Sequence, residues 1–124
     1  MQYLCLAYQD QAKLDALSAS AYAAIVSEIR YYGEELRQSG HVIAAAALQS
    51  VQAATTIRIQ NGTLSLSDGP FAATAEQLGE FYLIEARDLN DAIRLVSQMP
   101  LARLGCVEVR PIKEPLKWDA DERG

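Results

Sequence analysis

The chain has 124 residues, half of them apolar, which suffices for one domain to bury a sizeable core without covalent or metal staples. Its 11 Lys and Arg stand against 16 Asp and Glu, a net charge of -5, so phosphate backbones and anionic membrane surfaces are repelled and neither nucleic acid nor membrane is an expected partner. The opening MQYLCLAYQDQAK has no basic run, and its apolar stretch is too short for a signal-peptide core or a spanning helix, which predicts a cytoplasmic protein.

In chain order, QYLCLAY (2–8) is apolar on both faces, as a central strand is. Ser18 is placed to cap a long amphipathic helix whose apolar stripe runs through Tyr22, Ile25, Val26, Ile29, Tyr32 and Leu36 and which ends at Ser39-Gly40. Glu34 and Glu35 fall on its solvated side. HVIAAAAL (41–48) follows a glycine and carries the β-branched pair Val42 and Ile43, which favours a strand over a short helix. TTIRIQ, Asn61-Gly62 and TLSLS then spell a two-residue type I′ hairpin, with Gln60 opposite Thr63, Ile59 opposite Leu64, Arg58 opposite Ser65 and Ile57 opposite Leu66. One face of it is apolar and the other polar, as a half-buried hairpin requires. EFYLIEA (80–86) reads as a strand, Asp88 as the cap of a helix that Pro100 stops, and CVEVRPI (106–112) as the last strand, followed by a tail over 114–124 that contains Trp118. With the hairpin set aside, the order strand, helix, strand, strand, helix, strand is the split βαβ arrangement of an α+β ferredoxin-like sheet, both helices lying on one face. The uncovered face would be an apolar patch, most simply buried against a second copy, so a homodimer is predicted.

Candidate chemistry concentrates in SDGPFAAT (67–74). Pro70 disfavours a second tight hairpin after Asp68-Gly69, so the segment should be an ordered loop with Phe71 anchored in the core. Asp68 either caps that loop or is a carboxylate held at the rim of a cleft, where it could serve as acid or base. If the apolar Phe81 and Leu83 meet the helices, then Glu80 and Tyr82 point the other way, and with Glu108 and Arg110 they face the dimer cavity as polar groups of a pocket or as ion-pair and dimer contacts. Arg58 is either an anion-binding group or an exposed sheet arginine. His41, the sole histidine, is expected at a strand start as a solvated or hydrogen-bonded edge residue, which excludes multi-histidine metal sites and gives little support to a hydrolytic triad. Cys5 and Cys106 belong to no CxxC pair and read as buried free thiols; no metal and no cofactor is expected.

The stretch TIRIQNGTLSLSDGPFAATAEQLGEFYLIEARDLNDAIRLVSQMP, with VEVRPI after it and EELRQSG before it, resembles the DGPF-type branch of the bacterial YCII-related family over residues 1 to about 113. The resemblance implies a ferredoxin-like fold forming a dimeric α+β barrel with clefts between subunits. It also implies, for the branch, companionship with extracytoplasmic-function sigma factors, and for the wider family a His/Asp site. This chain departs from that pattern: Ala73 and Ala75 replace the charged residues of the motif, and Tyr31 and Tyr32 stand where the first helix would carry the histidine. Two readings follow. One is a binder or a lyase- or isomerase-like enzyme for a small molecule, with Asp68 as acid or base and Arg58, Tyr82, Glu80 and Arg110 contributing to binding. The other is a non-catalytic dimeric interaction protein.

Overall fold

A computed structural model of the protein describes residues 1–114. All but the first residue of the tail expected over 114–124, Trp118 included, therefore lies outside the described residues. β1 (Gln2–Asp10) runs into a short α1 (Gln11–Asp15), then α2 (Ala19–Gln38) and β2 (Val42–Ala47). A 3-10 turn (Val51–Ala53) leads to the hairpin strands β3 (Thr55–Gln60) and β4 (Thr63–Asp68). β5 (Glu76–Glu85), α3 (Leu89–Ser97), α4 (Leu101–Leu104) and β6 (Gly105–Pro111) complete the fold. The main sheet has the order β2-β5-β1-β6 with antiparallel neighbours, so the two split βαβ units interlock around β1 and β5. This is the α+β ferredoxin-like arrangement, with β3 and β4 forming a separate two-stranded sheet.

Alternation along β1 decides which face is covered. Tyr3, Cys5 and Ala7 are buried, and Tyr3 and Cys5 with Ile84 of β5 join Leu36 of α2 and Ala92, Leu95 and Val96 of α3 in one core. The helices are fixed at their ends by the residues expected to do so. The Ser18 hydroxyl accepts from the Ala21 N–H at 3.2 Å, and the Asp88 carboxylate accepts from the Asp91 N–H at 2.8 Å. Tyr32 ties α2 to α3 by donating its hydroxyl to the Leu95 carbonyl. Gly40 leaves α2 at φ +80°, a left-handed value that glycine adopts without penalty.

Four expectations change. β5 begins at Glu76, four residues before EFYLIEA, because a bulge interrupts its alternation: Ala7 pairs with Glu80 but Tyr8 pairs with Leu78, leaving Gly79 unpaired. Pro100 stops α3 and also opens α4, since its fixed φ suits a helix start. Cys106, unlike Cys5, is exposed, because it lies on the edge strand β6 and points away from the helices. The hairpin has the predicted register and turn, with Asn61 and Gly62 at φ 53° and 77°, yet it is not half-buried. Ile57, Ile59, Leu64 and Leu66 are 60–71% exposed.

Candidate functional site

The bulge at Gly79 turns Leu78 out of step with Glu80. Paired with Tyr8, Leu78 joins Leu4, Leu6, Phe81 and Leu83 on the sheet face that no helix covers. From there a groove of about 610 Å³ runs beneath the base of the hairpin, lined by Leu48, Val51, Ala54 and Leu78 on its apolar side, by Thr55, Thr56 and Gln77 as hydrogen-bonding groups, and by Pro70 and Phe71 at its lip. Among the described residues no charged side chain lines it.

The SDGPF loop forms that lip, and it is ordered. The Gly69 N–H donates to the Ala54 carbonyl at 2.7 Å, and the Thr56 hydroxyl donates to the Gly69 carbonyl at 2.8 Å, which sews the loop to the start of β3. Gly69 holds φ +96°, a value a side chain would strain. Beyond the lip, the Gln77 side-chain amide donates to the carbonyls of Ala72 at 2.8 Å and Thr74 at 3.0 Å, closing the return into β5. Phe71 is 80% exposed, so it is not the core anchor expected of it; an apolar ring at the groove mouth stands in place of one in the interior.

The candidate residues do not converge in one protomer. Asp68 pairs with Thr55 at the end of the ladder and therefore shares the face of Ile57, Ile59, Leu64 and Leu66, at the rim of the groove but not within its lining. Its carboxylate makes no hydrogen bond among the described residues, so the loop-capping bond considered for it is not present. Arg58 pairs with Ser65 and points to the opposite, polar face of the hairpin.

Glu80 and Tyr82 are the clear correction. They pair with Ala7 and Cys5, which places them on the helix-covered face and not in the cavity expected between subunits. Tyr82 donates to Glu80 at 3.3 Å, and its hydroxyl reaches toward Gly33 of α2. Burial pushes the Tyr82 phenol up to about 12 and raises the Glu80 carboxyl. Phe81 and Leu83 take the open face instead. Glu108 and Arg110 pair with Leu6 and Leu4, so they do lie on that face, joined by a 2.8 Å ion pair, with the Tyr8 hydroxyl 3.4 Å from the second Glu108 oxygen.

Elsewhere the titratable groups are structural. His41 lies at the start of β2 with Nδ1 3.1 Å from the Glu85 carbonyl, an edge contact in which the ring donates. Asp91, which sequence reasoning passed over, is 4% exposed and accepts from the Arg87 N–H at 3.0 Å and from the side chains of Arg94 and Arg87 at 2.8 and 3.3 Å. These donors hold its carboxyl well below the usual range, the backbone N–H contributing most. Its signal in the sequence was Arg94 three residues on, one turn along the helix, with Arg87 just ahead of the Asp88 cap. Burial pushes the Cys5 thiol up to about 11, which makes it inert. Among the described residues no cluster of three His, Cys, Asp or Glu could hold a metal ion, and no helix is long and apolar enough to cross a membrane.

The YCII-related domain model matches residues 1–116. The chain belongs to the YCII-related family. An uncharacterised protein of Rhizobium meliloti (strain 1021) is 32% identical over 114 residues, 90% of this chain and 92% of that protein. Among solved structures, 5-chloro-2-hydroxyhydroquinone dehydrochlorinase from Burkholderia phenoliruptrix, in complex with 2,5-dihydroxybenzoquinone, matches 93% of this chain and 96% of its own with a TM-score of 0.50 at 17% identity. At that identity the likeness bears on the fold of this YCII-related chain alone. In α2 of this family member Tyr31 is 68% exposed while Tyr32 is committed to the Leu95 carbonyl, so neither takes the place of a histidine paired with Asp68.

Proposed function

We propose that this YCII-related protein works as a homodimer that binds a small, uncharged organic molecule in the groove beneath the SDGPF loop, with Asp68 at the rim as the group able to exchange a proton with it. The observation that carries the reading is the lining itself. A concavity of about 610 Å³ has the size of a small-ligand site, and its lining among the described residues offers apolar walls with a few hydroxyl and amide groups and no charge. Burying an ion there would go uncompensated, whereas a neutral ring bearing hydroxyl or carbonyl groups would find partners in Thr55, Thr56 and Gln77. Anion binding by Arg58, with Tyr82 contributing, loses its support, because Arg58 faces away and Tyr82 lies under the helices.

The test is an NMR titration with hydroquinone and, separately, benzoate. Hydroquinone should move the amides of Thr55, Thr56 and Gln77 and bind at least about tenfold more tightly than benzoate. A panel of uncharged cyclic compounds that leaves those amides unmoved, or a preference for benzoate, overturns the reading. Asp68→Asn should fold and bind like the parent and lose only turnover of a ligand so identified, since the Asp68 carboxylate holds no bond that asparagine would break.

One observation favours the second reading, that of a dimeric interaction protein associated with an extracytoplasmic-function sigma factor: the broad apolar surface of the hairpin. A protein that binds no small molecule yet associates through that surface would fit it.

A further inference from the structure

The hairpin poses a separate problem. β3 and β4 pack chiefly on each other, and an isolated two-stranded sheet is marginally stable in water. Ile57, Ile59, Leu64 and Leu66 nevertheless form one face, 60–71% exposed. Four large aliphatic side chains in strict alternation with Thr56, Arg58, Thr63 and Ser65 are the pattern of a face that is covered by something. We infer that the hairpin is an arm that lays this apolar face on a second copy of the chain, against the partner's open sheet face beside its groove, so that each groove is completed by the other chain.

Continuity carries the choice of occupant. Thr55 shares the arm's apolar face and also lines the groove, and Leu78 lines the same groove and belongs to the open sheet face. One apolar surface therefore runs from the sheet, through the groove, onto the arm. The open face supplies Leu4, Leu6, Phe81 and Leu83, which are half-buried and over which no helix lies among the described residues, and an arm of matching chemistry is present on every copy. Two arms on two sheets close under a twofold axis, leaving no unsatisfied patch to propagate. A net charge of -5 weighs against an anionic lipid surface as the alternative cover. The inference rests on the homodimer proposed above and adds to it which element makes the contact.

Sedimentation and the concentration dependence of Tm separate the two. The parent should sediment as a dimer with a Tm that rises with protein concentration. Ile59→Thr with Leu64→Thr keeps β-branched or strand-compatible side chains while removing apolar surface, and it should raise the dimer dissociation constant tenfold or more with the far-UV spectrum unchanged. Ser65→Asp, on the polar face of the same arm, should leave the constant within about twofold. Should the double variant instead fail to fold, Ile57→Thr alone is measured, with the same expectation in smaller degree. A parent dimer whose constant is the same in the apolar-face variants overturns the arm while leaving the dimer standing. A parent that stays monomeric at all concentrations overturns both, as does a monomer that partitions onto phosphatidylcholine vesicles through this face.

Discussion

Phe71 exposes 80% of its surface, and that decides what its removal should do. A buried phenylalanine truncated to alanine costs roughly 3–5 kcal/mol, but Phe71→Ala should leave the unfolding free energy within about 0.5 kcal/mol and weaken ligand binding in the groove instead, as paired denaturation and titration would show. Glu80 offers the reverse case. Its carboxyl is raised by burial, so the folded state prefers the neutral form; the resulting penalty is absent at low pH and grows as pH rises through the raised value. Glu80→Gln should therefore stabilise the protein at pH 7 by roughly 0.5 kcal/mol, discounted for the screening of a partly exposed group, with no gain below about pH 4. Asp91 has the opposite sign. Its depressed carboxyl contributes stability that is complete above the ordinary carboxylate range near 4 and is lost as pH falls below it. The Tm of the parent should thus fall more steeply between about pH 4 and 2 than that of Asp91→Asn.

At the level of elements, strand ends and bulges hold what local pattern does not express. Asn61-Gly62, the Ser18 and Asp88 caps and Gly40 after α2 were legible because each is a local demand on one residue's φ or hydrogen bonds. The covered face of the sheet was not. β1 is apolar on both sides, and Phe81 and Leu83 look more like core residues than Glu80 and Tyr82, so the rule that apolar means helix-facing inverts β5 when the other face is apolar too. The early start of β5 was hidden for a related reason: the unpaired Gly79 breaks the alternation on which a strand is recognised. Gly105 is a further constraint with no local signature. A Cβ built there would lie 2.0 Å from the Tyr8 carbonyl oxygen, which is backbone and cannot swing aside, so Gly105→Ala should cost more than about 1 kcal/mol by denaturant titration. Asp88→Ala should cost about 1 kcal/mol through loss of the α3 cap, without touching the groove.

For the molecule as a whole, the fold class followed from element order alone, because the interlocked split βαβ units admit few arrangements, whereas the groove did not, because it joins residues 48–56 to 70–78 across two sheets that no spacing in the sequence connects. Asp68 was singled out from its loop, and it pairs with the groove residue Thr55 without lining the groove itself; Arg58 and Tyr82 were added by chemical type, and three-dimensional facing separates them from it. The hairpin's isolation has one more consequence. Among the described residues both of its long edges carry N–H and C=O groups outside any sheet ladder, beside a face with four aliphatic side chains, and TTIRIQ contributes only a single charge to discourage stacking. Its aggregation behaviour should accordingly run against habit: if the arm is covered in the proposed dimer, dilution strips each copy of that cover and bares a fibril-prone hairpin, so shear or freezing of dilute stocks should convert a larger share of the protein to β-rich precipitate than the same treatment of concentrated ones.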